Sequence, residues 1–348
     1  MSTQNINNLV ELFFINYKKQ KKDNVLLISL KDTSNYFTWE KTFHSIKKLS
    51  SEIKKYANKG DRCLLISENR PEWFITDLSV MLSGAITVPA YTTYVEKDYE
   101  YIIDNCNPKL IFVSNQEQFN KVKEIIKKKS FIANIFSFEE LDISEDNYIN
   151  INKLFSNLDY ENCNIPDLSI KRNDPACIIY TSGTQGNPKG VILSHGGILN
   201  NCEGAIEILK PLITKDQTRF LTWLPLSHSY EHTVQFVQIT VSARIYYAES
   251  IDKLIKNMNE CSPEIMTAVP RFYQNLYQKI NSSFNKATGL KKILVRKMLN
   301  LGYKKIKKEN LSFIEKIQDN IIDKIVRKKI KAQFGGSLKT FVSGGGGS

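Results

Sequence analysis

Residues Tyr180 to Gly190 read YTSGTQGNPKG, with three glycines, two threonines, a serine and a Pro-Lys-Gly ending. Apolar ACIIY (Ala176–Tyr180) precedes the stretch and VILS (Val191–Ser194) follows it. The pattern predicts a loop joining two buried strands. Such a loop cannot be held by apolar packing. It offers backbone N–H donors, hydroxyl donors and one lysine charge, which are the groups that hold a polyphosphate.

Two other phosphate motifs fail on spacing. A nucleotide-triphosphatase loop needs Gly-Lys-Ser/Thr at its end, so that a hydroxyl after the lysine can ligate magnesium. Here Lys189 sits between Pro188 and Gly190. The dinucleotide fingerprint G-x-G-x-x-G is also missing, since Gly183 and Gly186 lie three apart. A plain surface turn uses the same residue types, but a turn does not call for the whole string between two strands.

The chain has 348 residues, 42% of them apolar and 11% aromatic, as in globular proteins that bury a large core. Six cysteines (63, 106, 163, 177, 202, 261) form no C-x-x-C pair and have no histidine at zinc-ligand spacing, which predicts reduced thiols. The first twenty residues lack the basic start and cleavage site of a leader peptide. No window approaches the roughly 20 apolar residues of a membrane span. These features predict a cytoplasmic protein.

The net charge of +12 is concentrated. Between Lys286 and Lys331, 15 Lys/Arg face four acids, a net of +11. Ile, Leu, Val and Phe recur there at three-to-four spacing between the lysines, which predicts two amphipathic helices. A solvated basic face is the plainer reading, and attraction to anionic lipid or a polyanionic substrate is the alternative. Nucleic acid is disfavoured, because no reading motif or stacking platform accompanies the charge.

Elsewhere strands and helices alternate. RCLLIS, then PEWFITDLSVMLSG opened by Pro71 and closed by Gly84, then AITVPAY, reads strand–helix–strand. The alternation predicts an α/β fold of two wound, largely parallel sheets flanked by helices. Residues 1–165 are expected as a first α/β subdomain. Residues 166–348 are expected as a second, bearing the loop and the basic hairpin at 286–331. The polar stretch 115–173 is expected to bridge the sheets.

YTSGTQGNPKGVILSH resembles the phosphate-loop signature of adenylate-forming enzymes: acyl-CoA synthetases, luciferases and peptide-synthetase adenylation domains. GDRCLLISENRPEWFITDLSVMLSGAITVPAYTT resembles that family's early block, and WLPLSHSYEH its acyl-pocket block. TAVPRFYQNLYQKI and KIVRKKIKAQFGGSLKTFVSGGG, with the helical hairpin, are similar to the long-chain fatty acyl-CoA synthetase branch. The resemblance covers nearly all of the chain and is weakest at 115–165. It implies the N-terminal domain of such an enzyme, truncated, and a two-step reaction. A carboxylate attacks the α-phosphate of ATP, giving acyl-adenylate and pyrophosphate. The thiol of CoA then displaces AMP.

On that resemblance Thr181, Ser182, Gly183, Thr184, Gln185, Gly186, Lys189 and Gly190 bind the phosphates. Each charge-assisted bond is worth roughly 1.5–3 kcal/mol. Lys189 neutralises the leaving pyrophosphate. Gly183, Gly186 and Gly190 supply positive φ and close approach. Thr184, Lys189 and His228 are the implied catalytic residues, and Thr184 is the second-choice ligand for Mg2+. His228, Tyr230 and Glu231 are assigned to the acyl pocket, Gly344, Gly345 and Gly346 to the adenine side, and Arg271 to a position beneath the site. Where an arginine usually follows the acid, this chain has His232. ATP, Mg2+, CoA and a fatty acid are the implied cofactors and substrates, with peripheral contact to anionic membrane as an alternative location. The family's magnesium-binding glutamate, ribose-binding aspartate and C-terminal lysine have no counterparts here, so the chain alone is expected to be inactive. A medium-chain or aryl-acid ligase, and a non-catalytic acyl- or nucleotide-binding protein, remain open as alternatives.

Overall fold

The computed structural model describes residues 3–143, 147–166, 169–181, 188–213, 217–285, 289–324 and 328–344. Its strands in chain order are β1 (Val25–Ser29), β2 (Tyr36–Thr38), β3 (Arg62–Ile66), β4 (Ile86–Ala90), β5 (Leu110–Val113), β6 (Asn134–Ser137), β7 (Tyr148–Asn150), β8 (Pro175–Thr181), β9 (Lys189–Ser194), β10 (Arg219–Thr222), β11 (Arg244–Tyr247), β12 (Ile265–Ala268) and β13 (Thr340–Ser343). They form two mixed, mostly parallel sheets flanked by helices, as the alternation predicts. Contacts group residues 1–218 with 222–249 in one unit, and 219–221 with 250–348 in another.

Within the first unit lies the seven-stranded sheet β7-β6-β5-β3-β4-β8-β9. It is parallel except for the last pair, β8 and β9. Strands β3, β4 and β5 read as near-continuous apolar runs because both of their faces are covered. Strands β6 and β7 lie inside the stretch expected to be a bridge, and instead extend this sheet past β5. Their short runs, NIFS and YIN, carry too little pattern to identify alone. Strand β1 pairs in parallel with β11 and antiparallel with β2.

Helix Pro71–Ser83 is buried from Pro71 to Leu82, so it is a core helix rather than an amphipathic one. Proline at its first position costs no hydrogen bond. Gly84 ends it at φ 85°, in the left-handed region that glycine adopts without strain.

In the second unit β12 pairs in parallel with both β10 and β13. The basic stretch forms helices Gly289–Ile306, Phe313–Ile322 and Lys328–Gln333. Ser312 and Glu315 close a capping box at the start of the second of these. Met298, Leu301 and Ile322 make a small core between the first two, and Lys304–Glu315 (2.6 Å) and Lys305–Asp319 bridge them. Among the described residues no helix is long and apolar enough to cross a membrane. All six cysteines are free thiols.

Candidate functional site

The loop at 180–190 is carried on a β-hairpin stem. Antiparallel pairing sets Thr181 opposite Lys189 and Tyr180 opposite Gly190. Thr181 and Lys189 are exposed at the mouth of the stem, and Lys189 makes no ion pair among the described residues. Ser182, Gly183, Thr184, Gln185 and Gly186, all assigned to the phosphates from the sequence, lie outside the described residues. Helix Glu96–Cys106 grips both arms of the stem. The Tyr180 hydroxyl donates to Asn105 Oδ1 at 2.5 Å, and the Tyr101 hydroxyl donates to the Pro188 carbonyl at 3.0 Å. Burial, with Cys106 close by, pushes the Tyr180 phenol up, so it stays a neutral donor.

Two expectations about the stem are corrected. Strand β9 is not buried: it is an edge strand, with Val191 and Ile192 exposed by 44% and 62%. Gly190 does not adopt positive φ. Its lack of a side chain matters because a Cβ there would stand 2.9 Å from Ile178 Cγ2 and 3.2 Å from Tyr180 Cζ.

Past β9 the chain enters helix His195–Leu209, capped by Ser194 Oγ on the Gly197 amide. The Leu9 amide donates to buried His195 Nδ1 at 3.3 Å. Burial pushes this imidazole down to about 4, against the pull of Asp77 and Asp174. It is therefore a neutral core histidine.

The acyl-pocket candidates share one helical turn. His228 is the exposed N-cap of helix Ser229–Thr240, its Nδ1 accepting from the Tyr230 amide at 3.2 Å. Glu231 is buried in the first turn. Asn69 places the segment that leads in: its Nδ2 donates to the Leu224 carbonyl at 2.6 Å, and its Oδ1 accepts from the Leu226 amide at 3.0 Å.

Directly after Glu231, fully buried His232 sets Nε2 2.8 Å from Asp77 Oδ2 of helix Pro71–Ser83. Burial alone would depress this imidazole. The Asp77 carboxylate, with the Cys177 thiol of β8 beside the ring, outweighs burial and pushes it up to about 10. Asp77 thus favours the charged form of this buried ring. Trp73 stands edge-on to the ring, with centroids 5.3 Å apart. His232, which stands where an arginine usually follows the acid, takes Asp77 as its partner. Asn69 and Asp77 escaped sequence reasoning because their partners are over 150 positions away.

Helix His195–Leu209, downstream of the stem, packs on helix Ser229–Thr240, downstream of His228. Gly344 follows β13, while Gly345 and Gly346 lie outside the described residues. Arg271 is exposed in the first turn of helix Pro270–Asn285. No group of three or more His, Cys, Asp or Glu able to hold a metal occurs among the described residues.

A loop of this composition on a two-stranded stem, beside a wound parallel sheet, coincides with a family-wide match. The model for AMP-binding enzymes matches residues 14–347. The chain belongs to the AMP-binding enzyme family. Relatives include long chain acyl-CoA synthetase 3 of Arabidopsis thaliana, 29% identical over 88% of this chain and 47% of the relative. Fatty acyl-CoA synthetase A of Dictyostelium discoideum is 29% identical over 82% of this chain and 42% of that protein. The chain thus spans about half the length of the curated relatives it matches. Among solved structures, the inhibitor-bound N-terminal domain of FACL13 from Mycobacterium tuberculosis aligns with a TM-score of 0.65 at 17% identity, covering 78% of this chain and 65% of that one. The luciferase-like enzyme of the mealworm Zophobas morio aligns at 0.66 and 16%, covering 78% and 62%. These two share the fold.

Proposed function

We propose that this AMP-binding chain provides the ATP- and carboxylate-binding part of a long-chain fatty acyl-CoA synthetase. The observation that carries the reading is the stem register, Thr181 opposite Lys189, which holds the ends of YTSGTQGNPKG together within a chain matched to the family over residues 14–347. The names of the relatives support long-chain fatty acids as the substrates.

In this reading one fatty-acid carboxylate oxygen attacks the α-phosphorus of ATP. The bond to the bridging oxygen breaks and pyrophosphate leaves with that electron pair. Lys189, with Thr181, Ser182, Gly183, Thr184, Gln185, Gly186 and Gly190, binds the β- and γ-phosphates and counters the charge growing on the leaving group. His228, Tyr230 and Glu231 face the carboxylate end of the acid, and Gly344, Gly345 and Gly346 the adenine. The sulfur of CoA then attacks the acyl carbon, AMP leaves, and the thiol proton passes to solvent. Magnesium would travel with ATP and draw charge from its phosphates. Thr184, the second-choice ligand for the ion, lies outside the described residues.

The hairpin supports a second proposal, peripheral contact with anionic membrane. Phe313, Ile314, Ile317 and Ile321 are exposed on its second helix, beside Lys316, the first two by 79% and 66%. A solvated basic face needs no such apolar residues.

The test is calorimetric titration of the 348-residue chain with ATP. Saturable binding is expected, and K189A should weaken it at least about tenfold, the equivalent of one lost charge-assisted contact. Equal ATP binding by K189A would refute the leaving-group role.

A further inference from the structure

A cavity of about 410 Å³ lies within the first unit beside helix Trp39–Ile53. Its volume is within the roughly 300–1,000 Å³ of small-molecule sites. His44, Lys47, Lys48, Ser50 and Lys54 line it, with Leu82 as an apolar patch and Asp159 as the acid on its wall.

Two observations point to a missing anionic occupant. The first is charge. None of the three lysines makes an ion pair among the described residues. Lys47 Nζ hydrogen-bonds Asn162, through its carbonyl at 2.5 Å and Oδ1 at 3.1 Å, and stands 5.1 Å from the centre of the Phe43 ring. An ammonium has a third donor to give. Asp159, whose Oδ1 accepts from the amides of Glu161 (3.1 Å) and Asn162 (3.3 Å), is a single acid against three lysines on this wall and offsets only part of their charge. The second is unspent hydrogen bonding. His44 and Ser50 are buried to 3% and 2% exposure, and among the described residues His44 Nε2 and Ser50 Oγ have no hydrogen-bond partner. An orphaned buried polar atom costs about 1–3 kcal/mol, and two on one cavity wall call for an explanation. Burial and the neighbouring Lys47 hold His44 below its ordinary range, so its neutral ring can donate or accept. Tyr160, half exposed, lies beside that ring with centroids 5.0 Å apart.

We propose that this cavity is a binding site for a soluble phosphorylated small molecule, its phosphate held by Lys47, Lys48 and Lys54 and its remaining polar groups by His44 and Ser50. Ammonium groups bind phosphate as point charges, and three of them suit a multiply charged anion better than a monocarboxylate. The space exceeds what a lone phosphate fills, so the ligand has a body as well. The site is separate from the 180–190 loop and does not depend on the proposed ligase reading.

The test uses the full 348-residue chain in a K189A background, which removes the charge of the loop. Inorganic phosphate, AMP and vesicles containing phosphatidylinositol 4-phosphate are titrated by calorimetry, while the His44 ring resonances are followed by NMR. AMP is expected to bind and to move the His44 signals. K48E/K54E, at exposed positions that leave the fold intact, should weaken AMP at least about tenfold. S50A should also weaken AMP without lowering the thermal midpoint of the free chain, because it removes an orphan hydroxyl. AMP binding tighter than inorganic phosphate supports a phosphorylated metabolite. Binding of vesicles alone would overturn the assignment in favour of a lipid headgroup. Unchanged AMP affinity in both variants, or no binding by any probe, would overturn it outright.

Discussion

Replacing His232 with glutamine removes one charge from a pair that water cannot reach. His232 Nε2 and Asp77 Oδ2 are 2.8 Å apart, with both side chains fully buried. The Asp77 carboxylate pushes the folded imidazole up to about 10 from its ordinary 6.5. At about 1.36 kcal/mol per pH unit this amounts to roughly 5 kcal/mol, and breaking buried pairs costs 3–5 kcal/mol in general. We expect H232Q to lose about 3–5 kcal/mol at pH 7, where it strands Asp77 as a buried carboxylate. The pH dependence follows from the sign of the shift. Because the folded pKa is raised, the contribution is complete below pH 6.5 and declines as pH rises from there through about 10. Urea denaturation of wild type and H232Q at pH 6, 7, 8, 9 and 10 measures the difference, with other titrating groups common to both. D77N/H232Q should recover part of the loss, since a neutral pair strands no charge. A cost under about 1 kcal/mol, or a difference that stays flat from pH 7 to 10, would refute the ion pair.

His195 predicts the opposite trend on the acid side. Its folded pKa of about 4 lies below the unfolded 6.5, so the unfolded chain binds the proton first and about 3 kcal/mol should be lost between pH 6.5 and 4; H195Q should remove that part of the slope in acid titrations followed by circular dichroism. G190A should destabilise by about 1–3 kcal/mol and distort the stem, because the added Cβ meets the Ile178 branch at 2.9 Å; an unchanged melting midpoint would show that β8 and β9 can separate there. If the hairpin meets membrane, sedimentation with anionic liposomes should fall steeply with salt, since exposed charges are screened within about 8 Å at physiological ionic strength, and F313S/I314S should weaken it at fixed salt. Equal binding to neutral vesicles would return the hairpin to a solvated face.

What could be read along the chain was what local chemistry dictates. Apolar ACIIY and VILS around a glycine- and hydroxyl-rich loop specify a strand–loop–strand unit by composition alone. Pro71 and Gly84 bracket a helix because one lacks an N–H and the other tolerates positive φ. The alternation of strands and helices set the fold class, and the motif string set the family. Tertiary structure decided whatever depends on partners distant in sequence. The runs of β6 and β7 are too short to stand out, and only pairing alongside β5 makes them strands. Whether β9 was buried depended on its being last in the sheet order, which its own apolar residues cannot report. His228 and His232 occupy one helix four positions apart, yet one is an exposed cap and the other a buried cation. The difference is Asp77, 155 positions away. A buried charge is tolerable only where the fold delivers its counter-ion, and no local pattern around His232 encodes that delivery.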